Sequence, residues 1–195
     1  MQNNPKIVLL DNNDSFTYNF VELLRQLNVD EPQVLAPNFT GEIPLADAYI
    51  FSPGPGLPQE RPLMHRVIEE FGIKQGIQKP ILGICLGHQS IATFFGAQLF
   101  NLGTLKHGVQ IAVEHNNHPL FEHIGNPFQA ALYHSWAVAR EGVEKTELEV
   151  IATAQNVIMG LQHKHYNITG LQFHPESFLT LQGKQLIKNW LTLKL

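Results

Sequence analysis

Ile81-Leu82-Gly83-Ile84-Cys85-Leu86-Gly87-His88-Gln89-Ser90-Ile91-Ala92 is the stretch that decides how this chain folds. Ile81 to Ile84 is a short apolar run without polar alternation, as a strand covered on both faces requires. A helical pattern through His88, Ile91, Ala92 and Phe95 follows with only Cys85-Leu86-Gly87 between. A strand that turns so sharply into a helix has the layout of a nucleophile elbow, with sulfur in place of the usual hydroxyl oxygen. Gly83 and Gly87 relieve the crowding around a strained residue, and the turn predicts a Cys85 side chain exposed above the sheet. The helix N-terminus beside the sulfur supplies unbonded amides and a positive dipole end, which favour thiolate over thiol.

The same alternation of strand and helix extends toward the N-terminus. Ile7-Val8-Leu9-Leu10 is a second apolar run, stopped by Asp11-Asn12-Asn13-Asp14. Phe16, Phe20, Leu23, Leu24 and Leu27 then recur at helical spacing, with Asp14 or Ser15 placed to cap the helix. Val34-Leu35 before Pro37, Ala48 to Phe51 before Ser52-Pro53-Gly54, and a helical stretch from His65 to Phe71 complete the first half. Strands alternating with helical crossovers predict an α/β fold: a mostly parallel central sheet with helices on both faces, whose binding crevice lies beyond the carboxyl ends of the strands.

Toward the C-terminus the pattern changes. Gly108 to Val113, Gln129 to Tyr133, Glu149 to Ala154, Val157 to Leu161 and Ile168 to Phe173 are strand-like and separated by turns rather than helices, which predicts an antiparallel flank. Leu181, Leu186, Ile187, Trp190 and Leu191 mark a closing amphipathic helix. The 195 residues, 44% apolar and 15% charged, contain no repeat or linker and read as one domain, 1–195.

The formal charge of −4 with 10 neutral histidines provides no basic field for nucleic acid or an anionic membrane, and points to small molecules or proteins as partners. A lone cysteine fits a reducing compartment. The polar start from Met1 to Lys6 lacks the apolar core of a secretion signal, and no apolar run approaches the roughly 20 residues of a membrane span, so the reading is cytoplasmic.

Three segments carry the chemistry. Cys85 at the elbow is a candidate nucleophile. A thiolate that expels an amine needs a proton donor held in its working tautomer, and His174-Pro175-Glu176 at a strand end supplies an imidazole with a carboxylate two residues away, on the same side of an extended chain. Ser52-Pro53-Gly54-Pro55-Gly56 follows another strand. Its prolines lack N–H groups, leaving Gly54 and Gly56 as the amides free to face a ligand. With the N–H of Leu86, that of Gly54 forms a candidate oxyanion hole, worth about 3 to 4 kcal/mol per donor in other enzymes.

Asp14-Ser15-Phe16-Thr17-Tyr18-Asn19, Ser52 to Gly56, Gly83 to Gln89, Tyr133-His134-Ser135 and Gln172-Phe173-His174-Pro175-Glu176-Ser177 together resemble the class I, or triad, glutamine amidotransferases over nearly the whole chain. That family has a flavodoxin-like architecture. Within it, the Asp-Ser-Phe-Thr-Tyr-Asn opening and Phe-His-Pro-Glu-Ser ending look most like the small subunit (component II) shared by anthranilate synthase and aminodeoxychorismate synthase. The resemblance implies Cys85 as nucleophile, His174 as acid and base, Glu176 as its orienter, and Gly54 and Leu86 as oxyanion donors. It further implies Gly54, Pro55, Gly56, Gln89, Ser135 and Trp136 as contacts to L-glutamine, no cofactor, and a chorismate-binding synthase subunit (component I) as partner in a heterodimer or heterotetramer. The chain departs from the family pattern at Val109, where relatives usually carry Lys, and at Leu132 and Trp136, where they read Arg and Leu.

A different reading of the same elbow is a stand-alone thiol hydrolase of γ-glutamyl peptides. No metal is assigned. Asp11, Asn13, Ser15 and Glu22 match several positions of a calcium loop, but Phe16 stands where its sharp turn needs Gly. His163 and His165 alternate on one strand without a third ligand nearby in sequence, which reads as a hairpin rather than a zinc site.

Overall fold

The computed structural model describes residues 4–195, so Met1 to Asn3 of the polar start lie outside the described residues. Strands β1 (Ile7–Leu10), β2 (Gln33–Leu35), β3 (Ala48–Phe51), β4 (Ile81–Ile84) and β11 (Ile168–Leu171) lie parallel, in the order β2-β1-β3-β4-β11. The sheet continues from β11 through β10 (Val157–His163), β9 (Leu148–Ala154), β6 (Val109–His115) and β7 (Phe128–Leu132), all antiparallel to their neighbours. The parallel half and the antiparallel flank therefore form one nine-stranded sheet.

Two-residue periodicity assigns each strand residue to one of two cores. Ile7, Leu9, Ile50, Leu82, Ile84 and Leu171 face Phe20, Leu23 and Leu24 of α1 (Thr17–Gln26) and Leu186, Ile187 and Trp190 of α4 (Gly183–Lys194). Val8, Leu10, Tyr49, Phe51, Ile81 and Ile168 face Leu63, Met64 and Val67 of α2 (Pro62–Val67) and Ile91 and Ala92 of α3 (Leu86–Phe94). Both faces are covered, which is why these strands read as unbroken apolar runs.

Several boundaries differ from the sequence reading, each for a local reason. The residue before α1 is Phe16, and no side chain caps the helix. Asp14 instead accepts from the Phe16 N–H through Oδ1 (2.7 Å), while Asp11 Oδ1 gathers the Asn13 and Asp14 amides and the Thr17 hydroxyl, so the acidic residues lock the preceding loop upon itself. The helix around His65 starts earlier, at Pro62, and ends in a wider turn in which the Ile73 N–H reaches the carbonyl of Ile68. Leu181 is 82% exposed and lies before α4, outside its buried face. A small second sheet, β5 (Leu99–Asn101) paired antiparallel with β8 (Trp136–Val138), has no counterpart in the sequence reading because neither three-residue strand is long enough to show a period.

The elbow itself is built as its glycines require. Cys85 has φ 52° and ψ −99°, and its N–H is held by the carbonyl of Leu171 at 2.8 Å. A Cβ on Gly83 would sit 2.5 Å from the backbone of Gly87, and one on Gly87 would sit 2.7 Å from the Phe51 carbonyl. Those contacts are with backbone atoms that cannot move aside. Gly87→Ala is therefore expected to destabilise the chain by about 1–3 kcal/mol through overpacking of α3 on β3, read as a lowered denaturant midpoint; an unchanged midpoint would contradict this packing.

Candidate active site

The loops after β1, β3, β4 and β11 meet at the carboxyl edge of the sheet, where an open α/β sheet binds its ligands. Cys85 lies at the centre of this edge. It is only 6% exposed, not open above the sheet as the elbow alone predicted, because loops close over it from both sides and leave it as the floor between two clefts.

The first cleft, about 270 Å³, is lined by Cys85, Leu86, Gly54, Pro55, Gly56, Gln89, Ser135 and Trp136, together with Leu105 and His134. Every residue assigned to glutamine or to the oxyanion hole thus lies on one wall or another of a single cleft. Leu86 opens α3, so its amide is one of those a helix leaves unbonded. Gly54 packs against it: a Cβ there would lie 3.1 Å from Leu86 Cδ2 and 2.5 Å from Asn12 Cβ, so only glycine fits. Its loop is fixed from below by Asn12, whose N–H donates to Ser52 Oγ and whose Nδ2 donates to the Ser52 carbonyl, each at 2.9 Å.

The second cleft, about 410 Å³, shares Cys85, Gly54, Pro55 and Tyr133 with the first and adds His174, Asp14, Phe16 and His107. His174 and Glu176 stand beyond the end of β11, in a turn closed by the Ser177 N–H on the His174 carbonyl at 3.3 Å. That turn, rather than strand alternation, brings the two side chains together. His174 Nδ1 donates to Glu176 Oε1 at 2.7 Å, with both side chains buried. Phe16 and Tyr133 pack edge-on against the ring, with centroids 5.3 and 4.8 Å away.

The charge on this ring is set by its neighbours. Burial works against protonation of His174, but the Glu176 carboxylate and the adjacent Cys85 sulfur outweigh it and hold the imidazole well above its ordinary range. The sulfur acts on the ring although Nε2 has no partner in aligned hydrogen-bond geometry. Two nearby histidines go the other way. Burial depresses His134 to about 4, and its Nδ1 donates to the Trp136 carbonyl at 2.8 Å. His88 is fully buried and depressed to about 3, filling space that a Cβ on Gly170 would occupy.

Reading the sequence for chemistry missed the roles of Asp14, Phe16, Tyr133, His134 and Gln172. Tyr133, His134 and Gln172 signal themselves only as motif residues, while Asp14 reads as a helix cap and Phe16 as part of the helical face. The structure also refines two assignments. The Trp136 carbonyl is filled by two donors, Gln89 Nε2 and His134 Nδ1, each at 2.8 Å, so any backbone contact from Trp136 to a ligand falls to its N–H. His163 is a turn residue: its Nδ1 accepts from the amides of His165 and Tyr166 at 3.0 and 3.1 Å.

Residues 8–193 match the family model for class-I glutamine amidotransferases. The chain is 39% identical over 194 residues to the anthranilate synthase component 2 of Cyanophora paradoxa, covering 95% of this chain and 97% of that one. It is 36% identical over 197 residues to the aminodeoxychorismate/anthranilate synthase component 2 of Bacillus subtilis, covering 95% of each. Among solved structures, one described as a GMP synthase subunit from Thermoplasma acidophilum aligns with a TM-score of 0.83 at 22% identity, over 99% of this chain and 95% of that one, which shows the shared fold.

Because the His174 pKa is raised, the pairing contributes stability that is fully present below about 6.5, the unfolded value, and is lost as pH rises through the native value. In Glu176→Gln the carboxylate is gone and burial dominates, so the His174 value is expected to fall and that pH dependence to disappear. Titration of the His174 ring protons by NMR checks this; a value unchanged from the parent chain would contradict the assigned cause.

Proposed function

Because the chain belongs to the class-I glutamine amidotransferases, we propose that it hydrolyses L-glutamine at Cys85 and supplies the ammonia to a chorismate-using synthase subunit. The observation that carries the proposal is the convergence of Cys85, His174 and Glu176 beside a cleft lined by Gly54 and Leu86.

The Cys85 thiolate attacks the side-chain carboxamide carbon, forming a C–S bond and an oxyanion that the Gly54 and Leu86 amides receive. The His174 imidazolium, oriented by Glu176, gives its Nε2 proton to the departing nitrogen as the C–N bond breaks, releasing ammonia and leaving a glutamyl thioester. The now neutral imidazole takes a proton from water as the water oxygen attacks the thioester. Collapse of the second oxyanion expels the thiolate and frees glutamate. In this scheme Gly56, Pro55, Gln89, Ser135 and Trp136 hold the amino-acid end of the substrate in the first cleft.

Ammonia released near neutral pH is soon protonated and loses its nucleophilicity, so a sheltered handover to an attached acceptor is part of the proposal. Support for the acceptor's identity comes from the relatives, which are named as second components of anthranilate and aminodeoxychorismate synthases. Further support comes from exposed apolar side chains around the site: Leu105 on the first cleft, Val109, and Phe178 and Leu181 beside Glu176. A heterodimer or heterotetramer with the synthase subunit would cover such side chains. A stand-alone γ-glutamyl peptidase is not favoured by relatives named as components of larger enzymes.

No helix among the described residues is long and apolar enough to cross a membrane, and we infer action in the cytoplasm. Mixing the chain with a chorismate-using synthase subunit, chorismate and glutamine is expected to yield an aromatic amine, and Cys85→Ser to abolish ammonia release by more than about a thousandfold. A Cys85→Ser protein that retains full glutamine turnover would overturn the proposal.

A further inference from the structure

A carboxamide outside the proposed triad also reaches the nucleophile. Gln172 is 0% exposed, its N–H is anchored on the Met159 carbonyl at 3.0 Å, and its Nε2 donates to Cys85 Sγ at 3.6 Å. Its Oε1 accepts from Gln89 Nε2 at 3.2 Å, and Gln89 Nε2 in turn donates to the Trp136 carbonyl at 2.8 Å. A continuous chain therefore runs from a backbone carbonyl through two buried side chains to the sulfur.

The direction of that chain follows from chemistry. A peptide carbonyl only accepts, so Gln89 must turn its NH2 group toward Trp136. Both of its N–H bonds are then spent, one on Trp136 and one on Gln172, so Gln172 must present its oxygen to Gln89. That leaves Gln172 with its NH2 aimed at sulfur. A side-chain amide has two orientations in general, but here one fixed acceptor at the far end chooses both. Only the Gln89 oxygen remains free for a ligand in the first cleft, and an acceptor suits the α-ammonium of an amino acid.

We propose that Gln172 is a positioning residue for the nucleophile: it donates to the Cys85 sulfur and ties that sulfur to Gln89 at the ligand cleft. The inference rests on the proposed role of Cys85. A donor aimed at a sulfur favours its anionic form, and the bond also fixes the side chain facing His174. Packing alone does not account for the arrangement, since an apolar side chain of equal volume would fill the same buried space.

Two substitutions separate a donor from a filler. Gln172→Met keeps volume and loses both bonds. Gln172→Glu keeps volume and an acceptor for Gln89, but replaces the donor at sulfur with an oxygen. The readout is the rate of Cys85 alkylation by iodoacetamide, a neutral reagent, from about pH 5 to about pH 9, on protein shown to be folded by circular dichroism. The midpoint of the profile is expected to rise by about one pH unit in Gln172→Met, a roughly tenfold slower reaction near neutrality, and further in Gln172→Glu.

A folded Gln172→Glu protein whose profile overlays the parent chain overturns the proposal. So does one that is perturbed less than Gln172→Met, because that order follows from shape and not from donation. If Gln172→Met does not fold, Gln172→Glu carries the test by itself. Protection of Cys85 from alkylation by L-glutamine in the parent chain is measured alongside. Its absence would sink the glutaminase reading while leaving the order of the two Gln172 profiles to decide the present one.

Discussion

The site depends on one strained residue. Cys85 occupies a positive-φ conformation that a side-chain-bearing residue adopts only when the surroundings enforce it. Enforcement comes from three sides: the Leu171 carbonyl holds its N–H, Gly83 and Gly87 allow β4 and α3 to close to backbone contact, and Phe51 of β3 stacks against that contact. Since β3, β4 and β11 are neighbours in one sheet, the strain is borne by the core and not by a loop. The sulfur is thereby set over the sheet edge at a point that the loops after the other strands can reach.

Electrostatics then divides three nearby histidines by what they touch. His174 alone meets a carboxylate, and it alone is pushed toward the charged form. His134 and His88 are driven to neutrality by burial, and for each of them charge on a neighbouring histidine adds to the same direction. A cation beside the sulfur and two uncharged rings behind it confine the proton to the place where an amine would depart. Asp14 joins this balance from the second cleft. Burial raises its pKa, and the Phe16 amide and the His174 charge act against that rise.

How much of this was legible in the sequence depended on the length over which each constraint acts. The parallel half of the sheet was readable because strands covered on both faces must be continuous apolar runs, and Ile7–Leu10, Ala48–Phe51 and Ile81–Ile84 were bounded to the residue. The elbow was readable because glycine at two fixed offsets from a cysteine has a steric cause. By contrast, β5 and β8 pair across a separation of more than thirty residues with three residues each, too short for any period. The expected cap of α1 is absent because the Asp14 carboxylate takes the Phe16 N–H and Asp11 takes the Thr17 hydroxyl, an outcome that composition does not distinguish from ordinary capping. Gln172 carries no signal of its own in the sequence, because its side-chain partners Gln89 and Cys85 lie 83 and 87 residues away.

Sheet register is what converts those distant positions into neighbours. Ile84 lies opposite Leu171, so the next residues on each strand, Cys85 and Gln172, leave the sheet side by side. Successive side chains alternate faces, so a slip of one residue would turn the Gln172 carboxamide away and bring Phe173, at present fully buried among α1 and α4 side chains, into its place. Such a slip would also expose Leu171 and Ile168 to the wrong core. The apolar residues that set the register are therefore the same ones that place a donor against the sulfur, and loss of β4–β11 pairing would remove the site before it removed the hydrophobic faces of the helices.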